Sequence, residues 1–188
     1  MFARSLFAVL PLLALVSATS TSSPNRLVER QTGASRIQSL TQENLCVTVM
    51  GGQPVAGATI QIAHCFDDSD QNASLQKFTC SEADEGGFLS IALECSPNLC
   101  IDRGSDGSED GSGLQLQECI VGTSSAQKWQ HDDTQIFSYF DQTQKCLDIQ
   151  DGSQPYYVDG EPYGSERSLQ TWPCFEGNTN QMWNLVQA

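Results

Sequence analysis

The sequence predicts an all-β domain made of three similar units that close around shared aromatic residues. Three observations carry this. Cysteines recur in register within short related segments, and each segment ends in Gln-x-aromatic. Between these marks run short stretches of alternating apolar and polar residues, broken by clusters of Gly, Asp, Ser and Pro. No stretch beyond the N-terminal region sustains a helical period over about ten residues.

In chain order, residues 1–18 read as a secretory signal peptide. Arg4 provides the positive start, LFAVLPLLALV is an eleven-residue apolar run, and Val16-Ser17-Ala18 supplies small residues suited to cleavage. The run is too short to span a bilayer, so secretion to the extracellular space is expected and no membrane span. Residues 19–35 form a Ser/Thr-rich tail or short pro-segment, and the domain is expected over 36–188.

From Gln31 onward six basic residues face twenty-two acidic ones. A surface that acidic repels phosphate backbones, which excludes a nucleic-acid partner. Eight cysteines in an exported chain point to disulfides. There is no Cys-x-x-Cys, and His64 and His131 stand in unrelated contexts, so neither a metal site nor a cofactor is expected. Asn72-Ala73-Ser74 is an N-glycosylation sequon.

The repeat sets the architecture. Leu45-Cys46-Val47-Thr48, Leu99-Cys100-Ile101-Asp102 and Lys145-Cys146-Leu147-Asp148 each open a segment. These reach Cys65, Cys119 and Cys174, at separations of 19, 19 and 28 residues. The segments then end in Gln76-Lys77-Phe78, Gln127-Lys128-Trp129 and Gln181-Met182-Trp183. This is an internal repeat of roughly fifty residues, with lobes at about 36–79, 80–133 and 134–188. A unit that small cannot bury its own core, so Phe78, Trp129 and Trp183 are expected to point inward and be shared.

The Leu-Cys-x-Asp openings, Leu169-Gln170-Thr171-Trp172-Pro173-Cys174 and the three Gln-x-aromatic ends resemble the ricin B-type lectin family. The resemblance covers about 36–188 and implies a β-trefoil: three pseudo-symmetric lobes, twelve strands and one potential sugar pocket per lobe. The repeat then selects Cys46–Cys65, Cys100–Cys119 and Cys146–Cys174, one bridge per lobe. Cys80 and Cys95 remain and are expected to form a fourth intrachain disulfide across a hairpin turning at Glu85-Gly86-Gly87. Each bridge would contribute about 3 kcal/mol by the chain-entropy estimate.

A pyranose offers an apolar C–H face and a rim of hydroxyls, so its site needs an aromatic platform and fixed polar groups. By the resemblance, lobe 3 holds the full set. Asp148 would accept from two hydroxyls, Trp172 would stack, and Asn180 and Gln170 would bond further hydroxyls. Gln181 would brace the loop. The competing reading makes Trp172 lobe packing and Asp148 a turn cap. Lobe 2 keeps Asp102, Gln115 and Gln127, a partial second site with Gln117 at the aromatic position and Ala126 at the Asn position. Lobe 1 keeps only Gln61, with Thr48, Ala63 and Leu75 at the other positions.

Between Asp148 and Gln170 lies SQPYYVDGEPYGSERS, residues 153–168. Its tyrosines could wall the pocket and stack a second sugar, fold over the pocket and block it, or pack on the barrel as an ordinary loop. The acidic run at 102–113 lacks the spacing of a calcium loop. His131-Asp132-Asp133 has no nucleophile in a recognisable motif to serve. The expected function is therefore a secreted, non-enzymatic lectin for galactose or N-acetylgalactosamine-type glycans, a monomer with one competent pocket. Two alternatives stand beside it: a β-trefoil that acts on a protein partner, for instance as a protease inhibitor, and a non-covalent binding module for a glycoside-active enzyme.

Overall fold

Buried side chains alternate with more accessible ones in the strands Ser35–Ser39, Ile91–Leu93 and Ser112–Glu118, as strands with one face on a core require, whereas Leu45–Val49 is buried along its whole length and the ends of Ser96–Asp102 and Thr143–Ile149 run fully into the interior. The computed structural model describes residues 33–104, 109–120, 125–140 and 142–188. The expected signal peptide, most of the expected N-terminal tail and part of the acidic 102–113 run lie outside these residues. Among the described residues no helix is long and apolar enough to cross a membrane.

Among the described residues twelve strands follow one another in three runs of four. The first run is β1 (Ser35–Ser39), β2 (Leu45–Val49), β3 (Thr59–His64) and β4 (Phe78–Cys80). The second is β5 (Ile91–Leu93), β6 (Ser96–Asp102), β7 (Ser112–Glu118) and β8 (Gln130–His131). The third is β9 (Ile136–Phe140), β10 (Thr143–Ile149), β11 (Leu169–Pro173) and β12 (Trp183–Gln187). In each run the second and third strands form an antiparallel hairpin: β2–β3, β6–β7 and β10–β11. Successive runs are stitched by β4–β5 and β8–β9, and β12 returns to β1. The hairpins meet one another through β3–β7 and β7–β11.

Phe78, Trp129 and Trp183 are all buried in one apolar core with Ile37, Val47, Ile101 and Leu147. Each tryptophan also satisfies its N–H: Trp129 Nε1 donates to Ile101 O at 3.0 Å and Trp183 Nε1 to Leu147 O at 2.9 Å. In both cases the acceptor follows the lobe's first cysteine. Phe78 fills the corresponding place without a donor.

The Gln of each Gln-x-aromatic is buried and performs one task three times. Its Oε1 accepts from the residue after the lobe's second cysteine: Phe66 N to Gln76, Ile120 N to Gln127, and Phe175 N to Gln181, at 2.8, 2.9 and 2.9 Å. Its Nε2 donates to the carbonyl before that cysteine: His64 O, Glu118 O and Pro173 O. Buried amides placed this way close the loop that would otherwise expose backbone groups.

Three of the four expected disulfides form: Cys46–Cys65, Cys100–Cys119 and Cys146–Cys174. The fourth does not. Cys80 and Cys95 are free and exposed. The register of β4 on β5 explains this, because Cys80 faces Ile91 and Phe78 faces Leu93. Cys80 thus sits at one end of β5, opposite Ile91, while Cys95 lies past the other end, in the turn that leads from β5 into β6. The expected turn does form, braced by Asp84, whose Oδ1 accepts from Gly86 N and Phe88 N.

Candidate functional site

The register of the lobe 3 hairpin assembles the candidate site. Asp148 on β10 lies opposite Gln170 on β11, and Cys146 lies opposite Trp172. Residues two apart share a strand face, so all four side chains belong to one side of the hairpin. Asp148 is 3% exposed and Gln170 7%, while Trp172 at the rim is 37% exposed. Gln170 Nε2 donates to Asp148 Oδ1 at 2.8 Å, and Asn178 Nδ2 donates to Oδ2 at 3.3 Å. Burial pushes the Asp148 carboxyl above its ordinary 3.8, opposed by amide hydrogen bonds from Gln170, Gln181 and Asn178. A carboxylate has about four lone-pair sites, so acceptor capacity remains beyond these amides.

Asn178 is the residue the sequence reading passed over. It caps the short 3-10 turn Thr179–Gln181, its Oδ1 accepting from Asn180 N at 3.1 Å, and turns its amide toward Asp148. Asn-x-Asn before a turn carries the signal for such a cap. Asn180 is placed differently from Asn178. Its Oδ1 accepts from Gln42 Nε2 at 3.2 Å, across from lobe 1, which leaves its N–H donors available to a ligand. Gln181 braces the loop as described above.

A neighbouring wall comes from lobe 2. Gly111 N donates to Thr171 O at 2.9 Å. A Cβ on Gly111, whose φ is +87°, would stand 3.4 Å from Gln170 Oε1 and 3.7 Å from Trp172 Cζ3. Glycine there brings the backbone close to the tryptophan without covering it.

The tyrosine insertion is built onto lobe 1. Tyr163 donates to Val49 O and packs edge-to-face on Phe66, with ring centroids 4.9 Å apart. Glu166 N donates to Ile62 O, and Tyr156 and Ser165 exchange two 2.8 Å backbone hydrogen bonds. Trp172 keeps its exposed edge.

The other lobes differ in a physically specific way. Asp102 and Gln115 are again register partners, but Asp102 Oδ1 accepts from Gly104 N at 2.7 Å and Oδ2 from Gln127 Nε2 at 3.0 Å. Gln117, opposite Cys100, provides no aromatic face. In lobe 1 Thr48 lies opposite Gln61, and its hydroxyl is held between Cys46 O and Gln76 Nε2. Ala63, opposite Cys46, is fully buried. Two grooves among the described residues, of about 530 and 470 Å³, lie elsewhere: one beside Cys80 and Phe88, the other between lobe 1 and the insertion.

Comparison with solved structures places the chain among β-trefoils. The designed three-fold symmetric protein ThreeFoil aligns with a TM-score of 0.62 at 16% identity, over 83% of this chain and 99% of that one. The C-half of the earthworm R-type lectin, in complex with GalNAc, aligns at 0.58 and 17%, over 83% and 99%. The β-trefoil lectin of the Vibrio vulnificus hemolysin/cytolysin, with N-acetyl-D-lactosamine bound, aligns at 0.57 and 21%, over 82% and 94%. A comparison with curated protein sequences finds no match. A model of the ricin-type β-trefoil lectin domain matches residues 33–183. With four-fifths of its length inside that match, the chain belongs to the ricin-type β-trefoil lectin domain family.

Proposed function

We propose that this protein is a secreted carbohydrate-binding protein that holds a galactose or N-acetylgalactosamine-type sugar at the lobe 3 hairpin. One observation carries the reading: a buried carboxylate, Asp148, is held by the amides of Gln170 and Asn178 beneath a tryptophan exposed at the rim. A carboxylate fixed in this way accepts from two adjacent hydroxyls by charge-assisted bonds. Trp172 supplies the flat surface for the C–H face, and Asn180 donates to an outer hydroxyl. The earthworm and Vibrio lectins, solved with GalNAc and N-acetyl-D-lactosamine, support this sugar class. The partial set in lobe 2 is read as inactive, since Gln117 stands where the aromatic platform would be.

A single monosaccharide site of this kind binds at about 1 mM, roughly −4 kcal/mol. A monomer with one site has no avidity and would not cross-link cells. Export and an N-glycan at Asn72 belong to the same reading, supported by three intrachain disulfides. The test is retention on galactose resin. Asp148→Ala and Trp172→Ala are each expected to abolish retention with an unchanged circular dichroism spectrum. Retention equal to the parent chain in both variants would overturn the assignment.

A further inference from the structure

A line of hydrogen bonds joins the insertion to the lobe 3 loop by way of lobe 1. Arg167 Nη1 donates to Gln42 Oε1 at 3.3 Å, and Gln42 Nε2 donates to Asn180 Oδ1 at 3.2 Å. Arg167 stands at the base of the insertion, Gln42 between β1 and β2, and Asn180 in the turn Thr179–Gln181. We infer that Arg167 and Gln42 are positioning residues that fix the polarity of the Asn180 amide. Asn180 then meets a sugar only as a donor and selects an acceptor oxygen at that place. This role rests on the lobe 3 sugar reading and names what one part of that site accepts.

The first member of the line dictates its direction. A guanidinium has N–H donors, no acceptor, and does not deprotonate in a protein. Gln42 can meet it only with the carbonyl oxygen, which turns the Gln42 NH2 toward Asn180. Asn180 must then answer with Oδ1, and its own Nδ2 faces away from Gln42. A Gln–Asn pair without the cation would run either way, because each amide carries both a donor and an acceptor end. A line begun by a cation also polarises each amide in turn, which strengthens the last donor.

Both positioning residues are held before any ligand arrives. Arg167 Nε donates to Ser153 Oγ at 3.1 Å and Nη2 to Gln150 O at 3.0 Å, so all three guanidinium nitrogens are engaged. Its backbone carbonyl accepts from Ile62 N on β3 at 3.1 Å. The loop carrying Gln42 is docked on the lobe 3 turn at two further points, Leu40 N to Met182 O at 3.0 Å and Thr41 Oγ1 to Thr179 O at 2.9 Å. Asn180 itself is set by its N–H bond to Asn178 Oδ1, and the Asn178 amide reaches Asp148. Groups fixed in this way reduce the ordering cost of binding. Lobes 1 and 2 carry Leu75 and Ala126 at the place of Asn180. The insertion thus acts in the one lobe that has an amide there to orient.

Gln42→Glu reverses the line while keeping the packing. The new carboxylate pairs with Arg167 and can only accept from Asn180, whose Nδ2 turns inward and whose Oδ1 turns to the ligand. Thermal unfolding of this variant should match or exceed the parent chain, which separates a change of polarity from a loss of fold. Side-chain amide exchange, followed by NMR without sugar, is the first readout. A Gln42 Nε2 proton should be protected in the parent chain and the Asn180 Nδ2 protons should exchange freely, whereas Gln42→Glu should protect an Asn180 proton. Protected Asn180 protons in the parent chain, or no change in Gln42→Glu, would overturn the role of the pair.

The second readout is titration with methyl β-galactoside and its monodeoxy and monofluoro analogues. Fluorine accepts but cannot donate, so it reports which way the protein group points. The hydroxyl facing Asn180 is the one whose removal weakens binding to the parent chain about tenfold and leaves Asn180→Ala unaffected. At that position the parent chain should bind the fluoro sugar better than the deoxy sugar, and Gln42→Glu should bind the two alike. A fluoro preference that survives in Gln42→Glu overturns the inference. No binding of methyl β-galactoside by the parent chain, with the exchange pattern as expected, removes the lobe 3 sugar reading and leaves the amide polarity established.

Discussion

Asp148 and Gln170 face each other across β10 and β11, and the glutamine amide holds one carboxylate oxygen at 2.8 Å. Asn178 holds the other oxygen at 3.3 Å. The carboxylate is thus positioned by amides from β11 and from the turn that follows it, with Gln181 adding to their effect. Asn178→Ala should weaken galactose binding about tenfold, the scale of one hydrogen bond to a charged group. Titration calorimetry compares it with Asp148→Ala, which should bind nothing. Binding equal to the parent chain in Asn178→Ala would show that Gln170 suffices to fix the carboxylate.

Burial gives Asp148 a distinctive pH response. Its carboxyl sits above 3.8 because desolvation outweighs the amide hydrogen bonds. Sugar binding requires the ionised form, so affinity should fall as pH drops through that raised value, earlier than an exposed aspartate would dictate. The stability sign is opposite. A folded value above the unfolded one means that ionisation costs more in the fold. The contribution of Asp148 is therefore full below 3.8 and declines as pH rises through the window up to its folded value. Carbon-detected NMR titration of the Asp148 carboxyl checks both, with a midpoint above 3.8 expected.

Free Cys80 and Cys95 give a direct covalent test. Thiol counting on the unreduced protein should find two reactive groups, and mass mapping should place both on these residues. Although Cys80 is exposed at the surface, the protein packed around its sulfur beside the Phe88 groove desolvates the thiolate and raises the thiol above 9.0, so its alkylation rate should still climb with pH beyond that value. A Cys80–Cys95 cross-linked peptide would show that the β4–β5 register shifts in solution.

Trp183 and Phe78 hold corresponding places in the core, and only the tryptophan has an N–H to satisfy. Trp183→Phe removes the bond to Leu147 O and leaves that carbonyl unpaired, at a cost of about 1–3 kcal/mol. Trp183→Ala empties an aromatic site and should cost about 3–5 kcal/mol. Urea unfolding separates them, since both lower the midpoint and only the second is expected to approach loss of the fold.

The repeat made much of this legible from sequence. Cysteine register selected three bridges that form, and Gln-x-aromatic marked three shared core residues and the three glutamines that brace the loops after each lobe's second cysteine. Cys80 and Cys95 fall outside the repeat, so only proximity in sequence suggested a bridge. Strand register, which proximity does not encode, sets them apart. Asn178 was passed over because the repeat draws attention to Asn180, although an Asn ahead of a short turn is itself a cap signal. The course of the insertion depended on long-range partners: Tyr163 finds Val49 and Phe66 more than ninety residues away.

That insertion supplies a last test through Gly164. Its neighbour Tyr157 lies so close that a Cβ would come within 2.1 Å of the ring. Gly164→Ala must therefore displace Tyr157 and break its hydrogen bond to Glu166. The strand-like pairing of Tyr156 with Ser165 lies on either side of this contact, so the groove wall should loosen with it. The lobe 3 hairpin gains its register from β10 and β11 and does not depend on Tyr157. Galactose retention by Gly164→Ala alone should remain at the parent level. Hydrogen exchange at Tyr156 and Ser165 is the accompanying check, because loosening without unfolding should raise it there and leave the Trp183 amide protected.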